Sequence, residues 1–454
     1  MIFRYFTFIS CLVFAIFTQT GWSTEAMPND GDLPVLDEQS TLEDFLRYAA
    51  LNNPGLEAAY HRWQASVERV DQVGVLPEPR FSYSYYIRNV ETRVGPQRHK
   101  FGVSQRFPWF GKLQLREDAA TRMADAEWER YEAAKLDLFS GVKQAWYEYS
   151  YIARAVEITE ENFQLLTYFE RVARAKYKVG STNHADIIKA QVELGQIEDR
   201  LLETRDLLRP AAARLNTALN RESNASLPWP GPMIEDRVSI DEEALFAWMS
   251  GENPDLKALD SLAEREAAVI DLSRKAFYPD FTFALDYIDT GSALDRTMSD
   301  SGKDAVMAMV SINIPLRRGK YRAAENEARL NRTAVVRQRK EKENSLISEL
   351  ENSLYRFRDA ERKIDLYRDS LLPKARQSLE VTQKAYAADK SDFLDLIDTQ
   401  RTLLQFRLSH QRALADKAQR LAEIEEFIGK EIPHLGEELK GDERLPFEQQ
   451  GEGK

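Results

Sequence analysis

The chain carries one plan twice, and that duplication limits its possible folds more than any other feature. Asn53-Pro54 recurs as Asn253-Pro254, each inside a short helical segment, at 41–75 and 241–277. Pro79 with Phe81 and Tyr83 recurs as Pro279 with Phe281 and Phe283. FPWFGK at 107–112 is echoed by IPLRRGK at 314–320, and YKVGSTNHADIIKAQ at 177–191 by YAADKSDFLDLIDTQ at 386–400. Landmarks that keep one order at a spacing of roughly 200 residues mark a tandem duplication. The predicted organisation is a signal peptide at 1–23, a first repeat at 24–219, a linker at 220–240 around Pro228-Trp229-Pro230, a second repeat at 241–429 and a polar tail at 430–454.

Each repeat holds two stretches with a period of two. Phe81, Tyr83, Tyr85 and Ile87 share a face, as do Phe101, Val103, Gln105 and Phe107. In the second repeat Phe281, Phe283, Leu285 and Tyr287 precede Val306, Ala308, Val310, Ile312 and Ile314. Alternation of this kind predicts β-hairpins at 81–107 and 281–314, joined by polar loops at 91–98 and 289–304. Strands of about ten aromatic-rich residues are long enough to cross a bilayer at a tilt, although a soluble hairpin with one buried face has the same pattern. Pro108 and Pro315 lack an N–H and end the ladders, and Gly111 and Gly319 relax the backbone where strand becomes helix.

Long breaker-free stretches follow, from Lys112 to about Lys178 and from Lys320 to about Leu372. Val142, Trp146, Tyr149, Val156 and Phe163 recur at heptad-like spacing, as do Ile347, Leu350, Leu354, Phe357, Ile364 and Leu371, so both stretches read as coiled-coil helices. At 1.5 Å per residue the first spans roughly 100 Å. Pro373 kinks the second without ending it, and helix resumes through Tyr386. Each helix turns, at Gly180-Ser181 and at Asp389-Lys390-Ser391, and returns over 182–219 and 391–429, giving two helical hairpins with a break in the pattern between them. The fold class is mainly α with transmembrane β.

Four strands are too few to close a barrel, and an open edge in lipid leaves backbone groups unpaired at several kcal/mol each, so the chain is expected to oligomerise. A mean hydropathy of -0.51 excludes a bundle of membrane-spanning helices. The net charge of -12 excludes broad nucleic-acid binding, which needs a basic face. Arg4, the apolar run from Tyr5 to Phe17, and the small residues Gly21, Ser23 and Ala26 make an export signal, the run being short for a retained anchor. The single cysteine, Cys11, lies inside that run with Phe8 three residues before it, where lipoprotein signals carry leucine. The mature chain is therefore expected to have no thiol and no lipid anchor.

The twofold repeat, the hairpins, the long helices and above all SQRFPWFGK at 104–112 resemble the TolC-like outer-membrane efflux family over nearly the whole mature chain. FPWFGK resembles most the branch serving heavy-metal pumps of the Czc and Cus type; ducts for drugs or for type I protein secretion share the scaffold. The resemblance implies a homotrimer with a 12-stranded barrel in the outer membrane and a helical tunnel across the periplasm. It implies, as partners, a periplasmic adaptor and an inner-membrane pump of the RND class, and no cofactor.

Near the second turn, Asp395 and Asp398 lie three apart and hence on one helix face. They match the family's pore-gate aspartates, six carboxylates about a threefold axis forming a cation-attracting constriction; an ordinary solvated face is the alternative. Asp186 and Tyr386 match the closing network. That network commonly includes an arginine where Ser391 stands, with Lys390 the neighbouring cation. The turns themselves, Val179 to Thr182 and Asp389 to Asp392, with Gly180, Ser181, Lys390 and Ser391 at their centres, are the expected adaptor contacts. His61, His99, His184, His410 and His434 form no His-Glu-x-x-His pair, the Gly-Lys pairs lack phosphate-loop spacing, and no enzyme is expected. The rival from another class is a periplasmic coiled-coil adaptor, which would carry one major hairpin flanked by soluble β-domains.

Overall fold

The computed structural model describes residues 34–235, 238–295, 297 and 299–433. The expected signal peptide, and the tail beyond Pro433, lie outside the described residues. From there the duplication is visible element by element. The first repeat runs α1 (Leu42–Asn52), α2 (Pro54–Val73), β1 (Arg80–Thr92), β2 (Gly95–Phe107), α3 (Lys112–Lys178) and α4 (His184–Ala218). The second runs α5 (Glu242–Glu252), α6 (Pro254–Lys275), β3 (Phe281–Thr290), β4 (Ala305–Ile312), α7 (Arg318–Asp365), a π-helical stretch (Leu366–Leu371), α8 (Leu372–Ala387) and α9 (Phe393–Ile428).

The segments expected as single helices at 41–75 and 241–277 are each broken in two. The reason is the Asn-Pro pair itself. A residue before proline is pushed to extended backbone, and Asn53 and Asn253 then serve as N-caps, their side chains accepting the Leu56 and Leu256 N–H groups at 2.9 and 3.1 Å. Asn253 also donates to the Phe427 carbonyl at 3.0 Å, tying the break to α9.

The two repeats are not separate domains. β2 pairs with β3 along Gln97–Phe107, so the four strands form one antiparallel sheet in the order β1-β2-β3-β4, with β1 and β4 at its edges. The expected polar loop at 91–98 is mostly strand: Val90, Glu91 and Thr92 pair with Gln97, Pro96 and Gly95, leaving only Arg93 and Val94 in the turn. Polarity there does not end the pairing.

The helical core is built from apolar stripes. Phe45, Val142, Ala145, Leu215 and Leu219 pack α1 against α3 and α4, and Leu245, Met249, Leu350, Phe357 and Ile424 repeat that arrangement for α5, α7 and α9. In α7 the seam runs through Leu346, 2% exposed, rather than Ile347, which is 36% exposed. Pro373 is accommodated as expected without ending the helix. Its missing N–H and its ring follow directly on the π-helical stretch, whose wider turn makes room for a residue that an α-helix excludes. The linker is packed: Trp229 donates to Glu157 at 2.7 Å and Glu235 pairs with Arg368 at 2.7 Å. Among the described residues no helix is long and apolar enough to cross a membrane.

Candidate functional site

Strand register sorts the sheet into two unlike faces. Phe81, Val103, Leu285 and Ala308 lie in one cross-strand row and Tyr83, Phe101, Tyr287 and Val306 in the next. Phe81, Leu285 and Val306 are 66, 57 and 67% exposed, so nothing among the described residues covers that apolar face. The opposite face carries Ser82, Gly102, Asp286 and Met307 in one row, with Lys100 pairing to Asp286 at 2.8 Å. The sheet thus has one apolar, uncovered face and one face that carries a polar, ion-paired row.

At the foot of the strands one carboxylate organises the passage into helix. Asp280, 6% exposed, accepts Lys112 Nζ at 2.8 Å, the Trp109 N–H at 3.0 Å and the Arg106 guanidinium. Burial alone would raise its pKa, but hydrogen bonds from Lys112, Arg106 and Trp109 prevail and hold it at about 2. Pro108 follows the last paired residue, Phe107. Gly111 is the N-cap of α3 at φ +75, a left-handed conformation that side chains resist, and a Cβ there would lie 2.8 Å from Lys275 Nζ. Beyond β4, Pro315 precedes α7, and Gly319 departs from the expected role: it lies within the first turn of α7, at a negative φ, with open space around it. Strand meets helix by a left-handed glycine in the first repeat alone. Asn313 closes the second junction instead, accepting the Asp280 N–H.

The helical hairpins end in matched turns. Gly180 (φ +77) and Asp389 (φ +56) occupy the left-handed position after α3 and α8. Gly180, Ser181 and Lys390 are exposed and Ser391 is half-buried. Next come the caps, Asn183 accepting the Asp186 N–H at 3.1 Å and Asp392 standing in the same place before α9. One turn into each helix a carboxylate accepts a hydroxyl from four residues earlier: Thr182 to Asp186, and Ser391 to Asp395 at 2.9 Å.

The local wiring is the same, yet the surroundings are opposite. Asp186 is 5% exposed, whereas Asp395 and Asp398 both lie on the open side of α9, across from buried Phe393, Leu396 and Ile397. Tyr386 is buried against Phe393, ring centroids 5.5 Å apart. Burial chiefly, and then the Asp186 charge, push its phenol up to about 12. Asp186 and Tyr386 thus share one buried corner, while Asp395 and Asp398 stand apart from it. His184 packs on the Tyr177 ring, and among the described residues no group of three metal-binding side chains gathers here.

Sequence reasoning missed the cations that hold this tip. Lys176, from the end of α3, donates to the Tyr386 carbonyl and to Asp389, and its ammonium lies 4.6 Å from the Tyr386 ring centre. Arg401 lies 3.6 Å from Asp398 and crosses to Glu193 of α4 at 2.9 Å. Arg401 was legible as an i,i+3 neighbour of Asp398. Lys176 was not, because its partners lie on the other hairpin.

Known proteins have this organisation. The family described as "Outer membrane efflux protein" matches residues 46–221 and 249–430. The cobalt-zinc-cadmium resistance protein CzcC of Cupriavidus metallidurans is 22% identical over 86% of this chain and 90% of its own length. The pyoverdine export outer membrane protein OpmQ of Pseudomonas putida is 20% identical over 72% of this chain and 69% of its own. Among solved structures, CusC superposes with a TM-score of 0.70 at 17% identity, covering 87% of this chain and 92% of CusC.

Proposed function

The chain belongs to the outer membrane efflux protein family and is an outer-membrane efflux channel of a Gram-negative cell, and from that premise we propose that three copies form one duct. The observation that carries the proposal is the pair of unpartnered sheet edges, β1 and β4, on a sheet whose apolar face is bare. In lipid those edges must pair, and the symmetric solution sets β1 of one copy beside β4 of the next. Three copies of four strands supply twelve, enough for a barrel with a passage inside. The hairpins α3–α4 and α7–α9 then line a continuous helical tunnel in the periplasm.

Selectivity in such a duct is coarse and lies at its narrowest ring. Asp395 and Asp398 are our candidates for that ring, closed by the Asp186–Tyr386 corner and the Lys176 tether. A periplasmic adaptor docking on the turns at Gly180, Ser181, Lys390 and Ser391 would release the tether and splay the helices. An inner-membrane pump, of the RND class in our reading, supplies the energy. For cargo we propose divalent metal cations: the acidic ring favours cations, and CzcC has a cobalt-zinc-cadmium role by name. OpmQ, named for pyoverdine export, is a relative with a different cargo by name, and in our reading cargo follows the pump more than the duct.

A deletion strain tests the cargo. Loss of the chain should sensitise cells to cobalt, zinc or cadmium, with restoration by the wild-type gene. Unchanged metal tolerance together with new sensitivity to organic compounds would move the channel to a drug pump.

A further inference from the structure

Where β2 hands over to α3, a cleft of about 540 Å³ opens between Leu76, Phe107, Trp109, Phe110, Phe281 and Phe283. That is ample for an apolar chain. Trp109 is stacked between Tyr278 and Phe281, at centroid distances of 5.1 and 5.7 Å, which fixes one wall. Phe110 forms the lip and is 79% exposed. Beside it, Lys275 at the end of α6 donates to the Phe110 carbonyl at 3.0 Å. Among the described residues Lys275 has no carboxylate partner, whereas its neighbour Arg274 pairs with Asp271 and Glu325 at 2.8 and 3.0 Å. The ammonium is therefore anchored by a neutral group and keeps its charge available at the mouth of an aromatic cleft.

We propose that this cleft is a phospholipid site, taking one acyl chain among the aromatic rings and the headgroup phosphate at Lys275. Two placements favour lipid over a second copy of the chain. Phe107, Phe281 and Phe283 continue the bare apolar face of the sheet, and they belong to β2 and β3, the central strands, away from the edges where neighbouring copies meet. In the barrel proposed above, the strand-to-helix junction would also lie at the periplasmic rim, the level of the inner leaflet's headgroups, where aromatic side chains and cations suit an apolar tail joined to an anion. The inference rests on the reading of that face as the lipid-facing wall.

Photo-crosslinking separates the two claims. p-Benzoylphenylalanine is placed at Phe110, which keeps an aromatic ring there, or at Leu285 in the middle of the face, and the full chain is irradiated in phospholipid nanodiscs. Both positions should give lipid adducts by mass spectrometry. Lys275→Gln should lower the Phe110 adduct about fivefold, the size of one lysine's attraction to an anionic lipid surface, and leave the Leu285 adduct unchanged. A Phe110 adduct indifferent to Lys275→Gln, or a cross-link from Phe110 to a second copy of the chain, would overturn the site. Failure of both positions to label lipid would overturn the wall reading as well.

Discussion

Ser391 donates its hydroxyl to Asp395 at 2.9 Å, as Thr182 does to Asp186 in the other hairpin, but only Asp395 is left facing outward. A duplicated motif with one copy buried and one open assigns structure to the first and, in our reading, ion contact to the second. Asp395→Asn with Asp398→Asn should therefore leave the fold intact. In planar bilayers it should reduce cation over anion selectivity several-fold, and unchanged conductance and selectivity would remove these residues from the gate.

Lys176 closes the tip from the opposite hairpin, so Lys176→Met should loosen it. The substitution keeps the stem's length and removes the charge shared by Asp389 and the Tyr386 carbonyl. Single-channel recordings should show larger and longer openings than the wild type. Lys390→Met, at the exposed neighbouring position, should change them little.

Asp280 makes the membrane junction sensitive to acid. Its folded pKa of about 2 lies below the ordinary 3.8, so its stabilising contribution is complete above about pH 4 and is lost as the pH falls through 2. Asp280→Asn should destabilise the protein at neutral pH, by roughly 3 kcal/mol if Lys112 is left buried without a counter-charge. It should also flatten the thermal midpoint's dependence on pH between 4 and 2. An unchanged acid profile in the variant would show that other carboxylates dominate.

The two junction glycines should respond with opposite signs. Gly111→Ala forces a side chain into left-handed backbone and should cost roughly 1–2 kcal/mol. Gly319→Ala fills open space in an ordinary helical turn and should stabilise by about 0.5–1 kcal/mol. Thermal denaturation of the purified protein in detergent measures both.

Patterned elements were legible from the sequence, and three-dimensional partnerships were not. Heptad spacing from Lys112 to Lys178 predicts α3 with its observed ends, because one period runs unbroken between a glycine cap and a glycine turn. Alternation placed the strands and the composition of their faces. The 91–98 loop failed because its polarity read as an end to the strands, although Glu91 and Thr92 pair with Pro96 and Gly95 beside the turn. Gly319 was misjudged by analogy with Gly111, since a repeat preserves residue identity more readily than backbone conformation. At the tip the carboxylates were visible as a local motif. Their burial, and the reach of Lys176 across to Tyr386, depend on how two hairpins pack.

The central claim is that open sheet edges make this chain a membrane trimer. The mass of the protein particle extracted from outer membranes, measured by light scattering with detergent subtracted, tests it most directly. The account predicts a particle of three chains, each up to 52.3 kDa before loss of the signal, that precipitates when detergent is removed. A monomer that stays in solution without detergent would contradict it.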